Sequence, residues 1–305
     1  MKHKIYLFEF QNGVHFGSGD LDTAEYTFRA DTLFSALCQE AVKLDCLPEL
    51  FERVSKGKIL FSDAFPYKEK GRLYLPTPIV MGKMQDHTKE AVRTAFLPAE
   101  KLAHFLSGNY IPDSDDLESE LGRFEMKTSV AIQGKEEPEP YRVKAFYFYE
   151  GNGLYVIARL EDDRSEALFE ELLESLSYSG IGGKRSSGYG NFSWMGKNVP
   201  KGMEKQLADQ EDYGMLISSA LPLDAELDRA LEDATYRLIK RSGFVSSETY
   251  AQVPLRKRDA YLFASGSCFK NRFLGNVLDV SSEGEHPVYR YAKALFVEVN
   301  VCTEI

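Results

Sequence analysis

Residues 178–192 read Tyr178-Ser179-Gly180-Ile181-Gly182-Gly183-Lys184-Arg185-Ser186-Ser187-Gly188-Tyr189-Gly190-Asn191-Phe192. Glycines that tolerate positive φ and close backbone approach stand there beside two bases and two hydroxyls, a composition suited to gripping an anion. The familiar nucleotide motifs fail. In G-x-G-x-x-G, Gly180 and Gly182 are followed by Arg185 where the third glycine belongs. In the P-loop, Gly183-Lys184 is followed by Arg185 where Ser or Thr must reach magnesium, and Tyr178 replaces the first glycine. The stretch also lies on the wrong side of its helix. Leu168, Phe169, Leu172, Leu173 and Leu176 form a stripe at helical spacing just upstream, opened by a capping-box pattern of Asp163 with Glu166. The loop therefore faces the negative end of a helix, and attraction has to come from backbone N–H nests plus Lys184 and Arg185, with Ser186 and Ser187 donating to phosphate oxygens.

Farther upstream, Phe146-Tyr147-Phe148-Tyr149, the turn Gly151-Asn152-Gly153 and Leu154 to Leu160 predict a hairpin. Lys4 to Phe10 reads as a first strand ended by Gln11-Asn12-Gly13, and a second glycine-rich loop, His15-Phe16-Gly17-Ser18-Gly19, follows. From Asp31 the period changes: Leu33, Leu37, Ala41 and Leu44 share one helical face, with Asp31 as the expected N-cap. Lys58 to Phe61 and Arg72 to Leu75 are strand-like, and a strand continues from Phe192 to Met195. Strand, helix, two strands, helix, strand is the ferredoxin-like order β-α-β-β-α-β. Residues 80–140, with blurred periodicity and an acid-rich middle at Asp113 to Glu120, read as an insertion. A polar linker is expected over 197–212. Beyond it a helix starting at Pro222-Leu223-Asp224 with Leu227 and Leu231 inward, and strands near Met215, Tyr236, Ala260, Asn276 and Lys293, predict a second α+β domain. The expected fold class is α+β with two ferredoxin-like domains, 1–200 and a degenerate 201–305.

The chain has 305 residues, 43% hydrophobic and 28% charged, which fits about two domains with a proper core. No apolar run is long enough to span a membrane, and the N-terminus carries an acid within its apolar stretch, so a cytosolic protein is expected. Cys38, Cys46, Cys268 and Cys302 form no C-x-x-C pair, and His3, His15, His87, His104 and His286 are scattered, so neither metal nor cofactor is expected. Net charge is −10, which taken whole argues against a nucleic-acid binder. The sign is segregated, however. Residues 175–203 hold Lys184, Arg185, Lys197 and Lys201 and no acid, and residues 237–258 hold six bases against Glu248, leaving −19 elsewhere. One face can hold a polyanion while the rest stays soluble.

Four stretches carry a resemblance: Phe10 through Val14-His15-Phe16-Gly17-Ser18-Gly19, Arg29-Ala30-Asp31-Thr32-Leu33-Phe34-Ser35-Ala36-Leu37, the loop 180–190, and Phe263-Ala264-Ser265-Gly266-Ser267. Together they resemble the RAMP superfamily of CRISPR proteins and, within it, the family of the fourth Csm subunit of the type III-A effector complex. The resemblance runs over most of the chain and is weakest over 80–140. It implies two ferredoxin-like domains, binding of the 5′ handle of CRISPR RNA, contacts to the large signalling subunit and the first backbone subunit, and no catalysis. The insertion would then be a thumb-like element near target RNA or the neighbouring subunit.

Single-stranded RNA is held by phosphate grips alternating with aromatic faces. The RNA-binding candidates are His15, Phe16, Gly17, Ser18 and Gly19; Gly182, Gly183, Lys184, Arg185, Ser186, Ser187, Gly188 and Tyr189; and Lys240, Arg241, Phe244, Arg256 and Arg258, with Lys257 between the last two and Tyr250 nearby. The alternative is a metal-independent endoribonuclease using His15 as base, although no acid partner is evident. Asp63 has no visible carboxylate partner for a metal. The acidic stretches Asp113 to Glu120 and Glu161 to Glu174 are expected on the face opposite RNA, toward solvent or a protein partner.

Overall fold

The computed structural model describes residues 1–17, 19–69, 71–79, 94–112, 117–131, 139–207, 213–247 and 249–299. Its first strand, β1 (Lys2–Phe10), is apolar on both sides because both sides are covered. Short strands β2 (Phe16–Gly17) and β3 (Ala24–Glu25) lead to helices α1 (Ala30–Lys43) and α2 (Leu47–Ser55). Strands β4 (Ile59–Phe61), β5 (Phe65–Lys68), β6 (Arg72–Pro76) and β7 (Phe96–Pro98) follow, then short helices α3 (Leu102–Leu106) and α4 (Leu117–Leu121). The first half closes with β8 (Gly122–Ala131), β9 (Glu139–Phe148), β10 (Gly153–Leu160), α5 (Asp163–Ser179) and β11 (Phe192–Asn198). The sheet runs β11-β1-β10-β5-β6-β7, with β4 also paired to β10, and every pairing is antiparallel.

Alternation along the central strands assigns the two faces. Tyr6, Phe8, Val156 and Ala158 pack with Leu33, Phe34 and Leu37 of α1 and Leu168, Phe169, Leu172 and Leu176 of α5. Ile5, Leu7, Tyr155 and Ile157 point the other way, onto Met215, Ile217, Leu295, Val297 and Val299 of the C-terminal half. That half contains α6 (Lys201–Leu207), β12 (Gly214–Leu216), α7 (Asp224–Leu231), β13 (Leu238–Arg241), β14 (Ala260–Phe263), β15 (Cys268–Phe269), β16 (Gly275–Asp279), β17 (Tyr289–Lys293) and β18 (Phe296–Glu298). Its sheet is β15-β12-β18, flanked by the ribbons β13-β14 and β16-β17.

Several expectations change. The hairpin across Gly151-Asn152-Gly153 does not form: the turn is there, but β9 pairs with β8 while β10 is filled on both edges by β1 and by β4 and β5. The turn instead steps between sheets, and Asn152 fixes it by donating to the carbonyls of Glu120 and Leu121 and accepting from the Glu69 N–H. The cap of α5 is Asp162, one residue earlier than expected, accepting from the Ser165 N–H at 2.7 Å; Gly180 at φ 75° ends the helix. The stretch expected as a polar linker contains α6, whose Met203 and Leu207 are core residues. Part of 80–140 is regular structure: β8 and β9 form a ribbon whose base, Phe146 with Leu121, is buried. Asp113, Asp115 and Asp116 lie outside the described residues, and Glu120 pairs with Lys68 at 2.9 Å. On α5, Glu166 and Glu170 face Lys2, Lys4 and the Tyr6 hydroxyl, and Glu174 accepts from the Trp194 indole and the Tyr178 hydroxyl, so this acidic helix is tied to its own sheet.

Candidate nucleic-acid interface

Stretches distant in sequence converge on one cleft of about 630 Å³: the segment from Phe16 into α1, the glycine loop after α5, residues 240–257 of the C-terminal half, and Arg290 of β17. Seven bases and two acids line it, inside a protein whose overall charge is −10. Low-dielectric walls around such an excess of one sign concentrate field on an incoming anion.

The floor is built by glycines in close backbone contact. Ile181 N–H donates to the Gly190 carbonyl, Gly190 N–H to Gly13 and Gly183 N–H to His15. A Cβ at Gly182 would come within 2.7 Å of the His15 carbonyl, and at Gly183 within 2.6 Å of the His15 ring. The glycines therefore serve backbone stacking, and the N–H groups of residues 181, 183 and 190 are already used within the chain. The expected anion nest is to that extent replaced by side chains. Arg185 reaches into the cleft and donates to Gln39 of α1 at 2.7 Å. Lys184 lies over the Tyr141 ring of β9 at 4.4 Å. Lys127 of β8 lies over Tyr147 at 5.1 Å and Tyr189 at 5.8 Å, so loop and ribbon share a ladder of cations and aromatic faces.

Helix α1 is capped from outside its own sequence. Asp31, expected as the cap, turns its carboxylate to Arg241, which donates to both oxygens at 2.9 and 3.0 Å. The cap is Asp63, only 1% exposed: it accepts from the N–H of Ala30 at 2.8 Å, from the N–H and hydroxyl of Ser219 at 2.9 Å, and from Arg29 at 3.3 Å. A single carboxylate thus joins α1 to the C-terminal half, beside Tyr291, whose ring stacks on Phe61 at 4.4 Å. Among the described residues no group of His, Cys, Asp and Glu comes together that could hold a metal ion.

The expected residues divide. Phe16, Gly17, Gly19, Gly182, Gly183, Arg185, Lys240, Arg241, Phe244 and Arg256 line the cleft, whereas Lys184, Ser186, Ser187, Gly188 and Tyr189 lie beside it. Ser18 lies outside the described residues. Phe16 is core, with its ring 5.1 Å from Phe28, and cannot offer a free face. His15 is buried as well, its Nδ1 2.7 Å from the Lys144 carbonyl. Arg241 is committed to Asp31, Lys240 pairs with Asp259 at 2.7 Å, and Arg258 donates to the Asp279 carbonyl. Tyr250 is buried in a separate small cluster. Phe244 is the exposed aromatic at the rim, with the Arg256 guanidinium over its ring at 5.0 Å. Arg29 and Arg290 join the cleft as single bases from mixed stretches, and Lys257 comes from the basic run Arg256-Lys257-Arg258; only folding puts the three in one cleft.

Two family descriptions match the chain: "RAMP superfamily" over residues 7–193 and "CRISPR Csm4 C-terminal domain" over residues 209–299. The relative in Mycobacterium tuberculosis, "CRISPR system Cms protein Csm4", is 38% identical over 304 residues, covering 97% of this chain and 98% of its own. The relative in Streptococcus thermophilus is also 38% identical, covering 99% and 100%. Among solved structures, a chain of the Csm3-Csm4 subcomplex in the type III-A CRISPR-Cas interference complex covers 98% of this chain and 100% of its own, with a TM-score of 0.67 at 16% identity. A Csm1-Csm4 cassette in complex with pppApA covers 99% of both chains with a TM-score of 0.63, also at 16% identity. By sequence over nearly its whole length, and with the same fold in solved relatives, the chain belongs to the Csm4 family of the RAMP superfamily.

Proposed function

We propose that the chain is the subunit of a type III-A effector complex that holds the 5′ handle of CRISPR RNA in the cleft between α1, the glycine loop and residues 240–257. The observation that carries this reading is the concentration of seven bases on one cleft of a chain with net charge −10. Phosphates supply the complementary charge, and Phe244 at the rim offers a stacking face. The subunit joins Csm1 to Csm3, the partners named with its solved relatives, in the cytoplasm. Its N-terminal unit, residues 1–200, is a ferredoxin-like RAMP domain, supported by the antiparallel order β11-β1-β10-β4 with a helical layer on one face. Residues 201–305 form a degenerate second domain of the same kind. The ribbon β8-β9 is the thumb, directed toward target RNA or a neighbouring subunit.

The role is to hold RNA without cutting it. A general base must reach its proton, and His15 lies under Gly17 and Gly183 with Nδ1 against a backbone carbonyl. Incubation of the full-length chain with labelled repeat RNA, without metal, is expected to give retention with no cleavage. Defined cuts lost in His15→Ala would establish the nuclease instead, and absence of retention at low salt would leave a scaffold that does not touch RNA. Replacing Lys184 and Arg185 together by alanine should weaken retention and lower the salt slope by about 0.7 per lost phosphate contact.

A further inference from the structure

The inner wall of the cleft holds three cations around one carboxylate. Both oxygens of Asp31 are taken by Arg241, and Arg290, 3% exposed, stands 3.8 Å away. Arg290 is further held by the carbonyls of Arg241 and Ser242. Lys257 is in a different position. Its Nζ has Ser35 of α1 at 3.4 Å and, among the described residues, forms no ion pair. The Cys38 thiol beside it is pushed up to about 12 by burial and brings no negative charge at neutral pH. Half-buried positive charge without a counter-ion is costly, and the cluster has two more cations than anions.

We infer that Lys257 is the seat of a backbone phosphate of the single-stranded nucleic acid held in this cleft, with Arg241 and Arg290 as the fixed positive wall behind it. The inference rests on the function proposed above and adds to it which base lacks a counter-ion and so meets a phosphate, and the pH signature of that contact. Arg256 and Arg185 line the same cleft and add to its positive charge. Arg241 and Arg290 position the site through Asp31 and the backbone, whereas Lys257 supplies the donor that the phosphate oxygen meets. Ser35, already within reach of Nζ, offers a second donor.

The groups facing Lys257 also give the contact a pH signature. Burial first, then the charges of Arg290 and Arg241, push the Lys257 ammonium below the ordinary lysine range; Asp31 and Cys38 act the other way. A bound phosphate favours the charged form, so binding takes up a proton once the pH lies above the lysine's free-state pKa. Affinity should be flat below that pKa and fall as pH rises through it.

The test uses the full-length chain and labelled single-stranded repeat RNA, titrated at several salt concentrations from neutral to alkaline pH. Lys257→Met should weaken binding about tenfold and lower the salt slope by about 0.7, the loss of one phosphate contact on a single strand. Lys257→Arg should keep most of the affinity while removing the fall with pH, because a guanidinium does not titrate in that range. Lys270→Met, in an exposed ion pair with Asp233 away from the cleft, should match the parent chain. If the parent chain retains no RNA, the reading of the cleft fails and the inference falls with it. If the parent retains RNA while Lys257→Met binds with the same affinity and salt slope, or Lys257→Arg keeps the pH dependence, the inference alone is overturned.

Discussion

Replacing Asp63 by alanine should be among the most damaging single changes in the chain. The carboxylate is 1% exposed and accepts from two backbone N–H groups, those of Ala30 and Ser219, from the Ser219 hydroxyl and from Arg29. Alanine leaves two buried backbone donors without acceptors, at about 1–3 kcal/mol each, and the Ala30 donor among them is the capped N–H of α1. The Arg29 contribution is smaller, because that side chain is partly in solvent. The expected loss is roughly 3–5 kcal/mol. Asparagine keeps an acceptor oxygen for Ala30 and Ser219 and should lose only about 1–2 kcal/mol. Urea unfolding of the full-length variants measures both, and RNA retention by the folded fraction should drop with Asp63→Ala because the cleft spans both halves. A loss under about 1 kcal/mol in Asp63→Ala, or equal losses in the alanine and asparagine variants, would refute this account of the latch.

Gly190→Ala should destabilise the loop by about 2–4 kcal/mol, since φ is 80° there and a Cβ would collide with the Ile181 carbonyl; a neutral effect on melting and RNA retention would contradict the backbone-stacking role. Tyr141→Ala removes the ring under Lys184 and should cost less than about 1 kcal/mol in stability while raising amide exchange in β9; unchanged exchange would mean that the ring does not anchor the ribbon. The Arg164 hydrogen bond, with help from Arg53, holds Glu49 down at about 2, against 4.5 unperturbed. Its folded-state pKa is depressed, so this contribution is present above pH 4.5 and is lost as pH falls toward 2. Glu49→Gln should flatten stability across that window, and an unaltered slope would count against the Arg164 pair.

Much of the first half was legible because its signals are local. The stripe Leu168 to Leu176 had to be a helix by spacing, Gly180 had to end it by its freedom at positive φ, and the family resemblance of the glycine loops carried the rest. Helix α1 was found from its apolar face even though its cap was misplaced. The cap is not legible in the sequence, because its acceptor, Asp63, is more than thirty residues away from the Ala30 N–H that it satisfies.

Segregated charge in the sequence pointed to a basic surface on an acidic chain, and the two glycine loops border the cleft that carries it. Which bases form that surface was decided only by tertiary structure. Asp31 neutralises Arg241, Asp259 takes Lys240, a carbonyl takes Arg258, and Lys257, the middle of the basic run Arg256-Lys257-Arg258, is left facing the cleft beside Arg290. The hairpin was misread for the same reason: Tyr149 to Gly153 encodes a turn, but strand partners are chosen by which edges are still open, and β1 and β4 had filled those of β10. Local sequence sets periodicity, caps and turns through forces acting within a few residues; pairing of charges and of sheet edges is settled by competition among groups far apart in the chain, which only the folded arrangement resolves.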